Sequence, residues 1–127
     1  MRHGDPEQLD RMGRDLATRA AALAIERKVA IEVAPFWHSP PTPFDPALIE
    51  RAREAAAARG FRARDIPTGI GHDAVYLARR VPSVMLFTPC HGGISHNEAE
   101  SITPEWATAG LLVLADTALA TAGLVRD

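Results

Sequence analysis

The chain has 127 residues, enough for one modest domain that buries roughly two-thirds of its unfolded surface. A formal net charge of −2 excludes the basic footprint of a nucleic-acid binder and a polybasic membrane patch. The single cysteine, Cys90, excludes an internal disulfide and fits a reducing, cytoplasmic setting, and no apolar run approaches the roughly 20 residues of a membrane span.

Met1 to Pro6 has no apolar signal-peptide core. Asp5-Pro6-Glu7-Gln8 is a helix start. Asp5 can cap it, Pro6 suits the first helical position and Gln8 can close a capping box. Leu9, Met12, Leu16, Ala20 and Leu23 then recur at helical spacing, with Arg11, Arg14, Asp15 and Arg19 on the other face. The helix is predicted to end near Arg27 or Lys28, where cations suit its C-terminal dipole. Val29, Ile31 and Val33 alternate with smaller or polar residues, which predicts a half-buried strand over 29–34. Pro35, Pro40, Pro41 and Pro43 then make a connector, because proline cannot continue a central strand. It carries His38, read as a solvated linker residue.

Asp45-Pro46 opens a second helix by the same cap chemistry, stopping at Gly60. Residues 61–66 predict a short strand, Thr68 to Gly71 a turn, and a third helix begins near His72. Ser83 to Thr88 is an apolar run that reads as a buried strand. Thr103-Pro104 starts a last helix that Gly123 closes. Trp106, Leu111, Leu112, Val113, Leu114 and Leu119 make that helix apolar around much of its circumference, so packing on several sides is expected. Helices and strands that alternate in this way indicate an α/β architecture.

The chemistry gathers between the last strand and the last helix. His91-Gly92-Gly93-Ile94-Ser95-His96-Asn97-Glu98-Ala99-Glu100 puts two histidines and two carboxylates in a glycine-bearing loop. Ligands of open α/β sheets bind at the carboxyl ends of strands. An imidazole there can hold a metal, and flanking carboxylates can orient it. Spacing alone fits a polar surface loop equally well, since no paired ligand motif such as H-E-x-x-H is present.

The residues themselves point further. Gly92-Gly93-Ile94-Ser95-His96-Asn97-Glu98-Ala99-Glu100 resembles the C-terminal metal-site loop of the hydantoinase/carbamoylase family of zinc amidohydrolases, within the aminoacylase-like metallopeptidase superfamily. A second block, Thr68-Gly69-Ile70-Gly71-His72-Asp73-Ala74, resembles that family's S-G-A-G-H-D-A segment, and Pro82 to Pro89 resembles its P-x-x-M-I-F-x-P strand. Order and separation fit over nearly the whole chain.

The resemblance implies the C-terminal portion of a two-domain metallohydrolase. Residues 1–37 would end a lid and dimerisation domain, and residues 38–127 would form the last segment of the metal-binding catalytic domain, a partial mixed sheet with packed helices. It implies that His96 is a ligand of zinc or another divalent metal such as manganese, and that Gly71 and His72 line the substrate pocket. Backbone N–H groups at the helix start beside His72 favour an anion. Arg2 stands in what looks like the tail of the family's D-x-R-H segment, where a guanidinium takes the substrate carboxylate in a bidentate pair. Two departures, Ile70 for the usual alanine and Thr68 for serine, are expected to reshape the pocket. Glu98 and Glu100 read either as carboxylates supporting the ligand from behind or as solvated loop residues. His91 falls where the family varies and reads as solvated. Cys90 and His91 are adjacent on a strand and point to opposite faces, which argues against a nucleophile pair.

The family's H-x-D segment, its Glu-Glu pair and a further histidine lie upstream and have no counterpart here, so no catalytic base is assigned. One ligand cannot hold a catalytic metal. The chain is therefore expected to be an incomplete portion of an amidohydrolase, inactive alone and holding no metal tightly alone. Its implied substrate is a small carboxylate-bearing amide or ureido compound, such as an N-carbamoyl amino acid or allantoate, and its implied partner is a second copy. The alternative is a non-catalytic remnant or dimerising fold module.

Overall fold

In the computed structural model, which describes residues 1–69 and 71–123, helices form where the cap signals stand. Helix α1 runs over Pro6–Arg27, α2 over Pro46–Ala58, α3 over Asp73–Ala78 and α4 over Pro104–Ala122. The Asp5 carboxylate accepts from the Glu7 N–H, the Asp45 carboxylate from the Leu48 N–H, and the Thr103 hydroxyl from the Trp106 N–H. Each satisfies a donor that a helix start leaves unpaired. Proline occupies the first turn of α1, α2 and α4, where its missing N–H costs nothing. At the other ends, Lys28 turns left-handed with φ 54° and donates its N–H to the carbonyls of Ala24 and Ile25. Gly60 (φ 74°) and Gly123 (φ 75°) also take positive φ after α2 and α4, which glycine does without a β-carbon penalty.

The chain divides into two compact units, Met1–Thr42 with Pro67–Gly71, and Pro43–Ile66 with His72–Asp127. In the first unit, Leu9, Met12, Ala20 and Ala24 of α1 are half-buried, while Leu16 and Leu23 of the same apolar face stay exposed. The side chain of Arg2 crosses the backbone at Gly69, so closely that a β-carbon there would lie 2.8 Å from Arg2 Cδ.

In the second unit, α2 packs on α4. Ala52, Ala55 and Ala56 are buried along one face of α2, and Thr117 is buried on α4, its hydroxyl donating to the Val113 carbonyl at 2.7 Å. Alanines let the two backbones approach closely. Arg59 of α2 clasps Asp116 of α4 with two hydrogen bonds, Nε to Oδ2 at 2.5 Å and Nη2 to Oδ1 at 2.9 Å. This bidentate fork fixes the pair in orientation as well as distance.

Two expectations are not met among the described residues. No strand forms among the described residues, so the partial mixed sheet is not seen there; the predicted strands 29–34, 61–66 and 83–88 run without ladder partners. Alternating or apolar residues suit a pleated surface, but a strand exists only through N–H and C=O pairing with a neighbour. Residues 83–88 instead run against helices. Val84, Met85, Leu86 and Thr88 are half-buried, Thr88 lies over Gly110 of α4, and the Ser83 carbonyl accepts the Asp45 N–H at the head of α2. The last helix is likewise not enclosed on several sides. Leu112 and Val113 are half-buried, while Leu111, Leu114 and Leu119 remain exposed.

Candidate functional site

The loop after residues 83–88 is shaped by its glycines. His91–Gly93 makes one tight 3₁₀ turn in which Gly93 N–H meets the Cys90 carbonyl and Ile94 N–H the His91 carbonyl. Gly92 (φ 61°) and Gly93 (φ 70°) both require left-handed backbone, which glycine adopts without a β-carbon penalty. His96 takes the same region at φ 56° with a full side chain, a conformation that persists only when its surroundings impose it.

The His96 N–H donates to Glu100 Oε2 at 2.7 Å. The chain can double back so soon because Asn97 builds a turn. Its side-chain oxygen accepts the Ala99 N–H at 2.9 Å, and its carbonyl accepts the Glu100 N–H at 2.9 Å. The other oxygen of Glu100 accepts the Cys90 thiol at 3.5 Å. His91 N–H to the Ser101 carbonyl, 2.8 Å, closes the neck of the loop. Burial first, and then the Glu100 carboxylate, push the Cys90 thiol above its ordinary value, so it stays in the neutral, weakly nucleophilic form.

The histidines separate by what their rings do. His96 is exposed, and among the described residues its ring nitrogens have no protein hydrogen-bond partner. His72 is the N-cap of α3, and its Nδ1 accepts the Ala74 N–H at 3.0 Å. That cap uses the Nδ1 lone pair, which places the proton of the neutral ring on Nε2 as an outward donor. The helix start beside His72 is thus partly filled by its own imidazole. His91 and His38 are exposed.

Of the remaining predicted site residues, Gly71 has open space where a β-carbon would point, and Arg2 is exposed, lying across Gly69 within the first unit. Glu100 meets His96 through the backbone amide, whereas Glu98 is exposed and makes no hydrogen bond or ion pair among the described residues. Ile70 lies outside the described residues. An open groove of about 420 Å³ in the second unit, lined by Phe44, Arg80, Val81 and their neighbours, includes none of the predicted site residues. The Cys90–Glu100 pairing and the Arg2–Gly69 crossing are among the contacts that the residue pattern does not announce. The glycine before Ile70 and the Asn97 turn were the only signals for them.

A structural zinc site needs four donors, and a catalytic one three plus an open position. Among the described residues no group of three or more His, Cys, Asp or Glu side chains converges in a way that could hold a metal. These residues therefore do not by themselves fit a metal; His96 offers one imidazole and no more.

A model of the peptidase family M20/M25/M40 matches residues 4–120, and the chain belongs to that family. It is 38% identical over 126 residues to an N-carbamoyl-L-amino-acid amidohydrolase of Rhizobium meliloti, an alignment that covers 99% of this chain and 30% of that protein. It is 28% identical over 116 residues to an allantoate amidohydrolase of Bacillus subtilis (strain 168), covering 91% of this chain and 28% of that one. The crystal structure of a hydantoinase/carbamoylase family amidase from Burkholderia multivorans superposes with a TM-score of 0.92 at 40% identity, over 98% of this chain and 30% of that one. The resemblance drawn from the two sequence blocks is thereby borne out, and the chain spans about 30% of the length of these relatives. No described helix is long and apolar enough to cross a membrane.

Proposed function

We propose that this chain supplies the C-terminal part of a metal-dependent amidohydrolase that cleaves a C–N bond of an N-carbamoyl amino acid or a similar ureido or amide carboxylate. The observation that carries this reading is His96. It stands in strained left-handed backbone, exposed, with both ring nitrogens uncommitted among the described residues, inside the loop whose residues resemble the family's metal-site segment. An imidazole in that state is ready for a divalent metal, zinc or manganese, whose chemistry when bound is to polarise a carbonyl or acidify a water. The donors of this chain do not complete such a site, so no hydrolytic step is assigned to them.

What the chain's own residues do is bind and orient. The outward Nε2–H of His72 suits a substrate carbonyl or carboxylate oxygen. The Arg2 guanidinium suits the carboxylate in bidentate geometry, and Gly69, having no β-carbon, lets the Arg2 side chain pass across it. Glu98 remains a solvated carboxylate of the loop. In this reading residues 1–37 end the lid and 38–127 belong to the catalytic domain. Residues 83–88 become a strand of the mixed sheet once a neighbour pairs with them. The enzyme is a cytoplasmic homodimer.

A chimera tests the reading. In it, this chain replaces the matching segment of the Rhizobium meliloti enzyme. The chimera should hold zinc and hydrolyse an N-carbamoyl amino acid, and His96→Ala should remove metal and turnover together. A folded chimera that keeps its zinc after His96→Ala refutes the ligand role.

A further inference from the structure

We propose that Glu100 is the positioning residue of His96, acting on its main chain and leaving its ring free. The inference deepens the reading of His96 as a metal ligand and rests on that reading for its functional meaning. The clamp itself stands on geometry alone.

A histidine that must present an imidazole to a ligand cannot spend its ring nitrogens on holding itself in place. An imidazole ligand is often steadied by a carboxylate that accepts from its second nitrogen. Here the carboxylate within reach does something else. Glu100 Oε2 takes the His96 amide at 2.7 Å, while Oε1 takes the Cys90 thiol at 3.5 Å. One side chain thus ties the apex of the loop to its base. The Asn97 turn delivers Glu100 to that position, and the His91–Ser101 bond keeps the two arms of the loop together. The clamp explains why His96 is found at φ 56° although it is not glycine. In that conformation its N–H has a charged acceptor to meet, and a charge-assisted bond offsets the backbone strain. Orientation of the imidazole is set by the direction of the His96 Cα–Cβ bond, which the clamped backbone fixes. Glu98, two residues earlier with the same charge, makes no such contact and serves as the internal control.

The two oxygens are both used as acceptors, and this predicts a graded response. Glutamine keeps one acceptor for the His96 amide and loses the one facing Cys90. Alanine loses both.

The test is NMR of the 127-residue chain. The His96 amide proton should resonate downfield, and His96 should show the strong intraresidue HN–Hα cross-peak that positive φ produces. Glu100→Ala should abolish both signatures, Glu100→Gln should keep the cross-peak with a smaller downfield shift, and Glu98→Ala should change neither. A Glu100→Ala spectrum that retains both His96 signatures overturns the proposal. Should Glu100→Ala not fold, an unchanged His96 amide shift in Glu100→Gln overturns it equally. Zinc content of the chimera described above, measured on His96→Ala, separates this inference from the reading beneath it. Loss of the His96 signatures in Glu100→Ala alongside retained zinc in His96→Ala leaves the clamp standing and the ligand role refuted. The opposite pair of results refutes the clamp and leaves the ligand role.

Discussion

The methyl group of Thr88 occupies the space that a β-carbon on Gly110 would need. Gly110 lies within α4, where glycine is ordinarily a defect worth roughly 0.5–1 kcal/mol relative to alanine. Its presence is explained by the close passage of residues 83–88 over the helix. Gly110→Ala is accordingly expected to destabilise the chain by about 1–3 kcal/mol, because forced overpacking outweighs the gain in helix propensity. Urea denaturation of the two proteins decides the sign.

The α2–α4 clasp sets an acid limit. The Arg59 guanidinium, by hydrogen bonding, holds the Asp116 carboxyl below its ordinary value, and Arg53 does the same for Asp65. A carboxylate whose folded value is depressed binds its proton more weakly than in the unfolded chain. Its stabilisation is therefore fully present above the unfolded value and is lost as pH falls through the folded one. Stability should fall below about pH 4, and Asp116→Asn should flatten that fall while reducing stability at neutral pH. Thermal melts between acid and neutral pH measure both effects. High salt should weaken the clasp, since the pair is only partly shielded.

His72 and His96 should fail differently in the chimera. His96→Ala should take the metal with it. His72→Ala should leave the metal in place, lower kcat/KM on the order of 100-fold, and also destabilise α3 by about 1 kcal/mol through the lost cap. His72→Asn separates the two effects, because asparagine caps a helix well yet cannot reproduce the Nε2–H. It should restore stability without restoring kcat/KM. Metal analysis, kinetics and melting of the three variants check this; loss of zinc from His72→Ala with retention in His96→Ala would reverse the assignment.

The isolated chain should self-associate. Phe36 is 99% exposed, Trp37 68%, and Leu111 64%, so large apolar side chains stand in water on both units. Exposed apolar patches tend to associate. Light scattering across a concentration series should show mass rising above 13.7 kDa; a mass that stays at one chain throughout would contradict the expectation.

The helix limits were legible in the sequence because a cap is a local event. Asp5-Pro6, Asp45-Pro46 and Thr103-Pro104 each carry their acceptor and their fixed φ within a few residues, and Gly60 and Gly123 carry their positive φ alone. The loop's glycines and the family likeness of its residues were legible for the same reason. The strands were not. Residues 29–34 and 83–88 have strand-like patterns, but pairing is decided by what lies alongside, and no ladder forms among the described residues. Nor was the state of each imidazole legible. That His72 spends Nδ1 on Ala74 while Glu100 reaches back to the His96 amide depends on where the folded backbone brings an N–H within about 3 Å of an acceptor. Residue types along the chain name the groups able to form such bonds; only the closed tertiary loop chooses which of them meet.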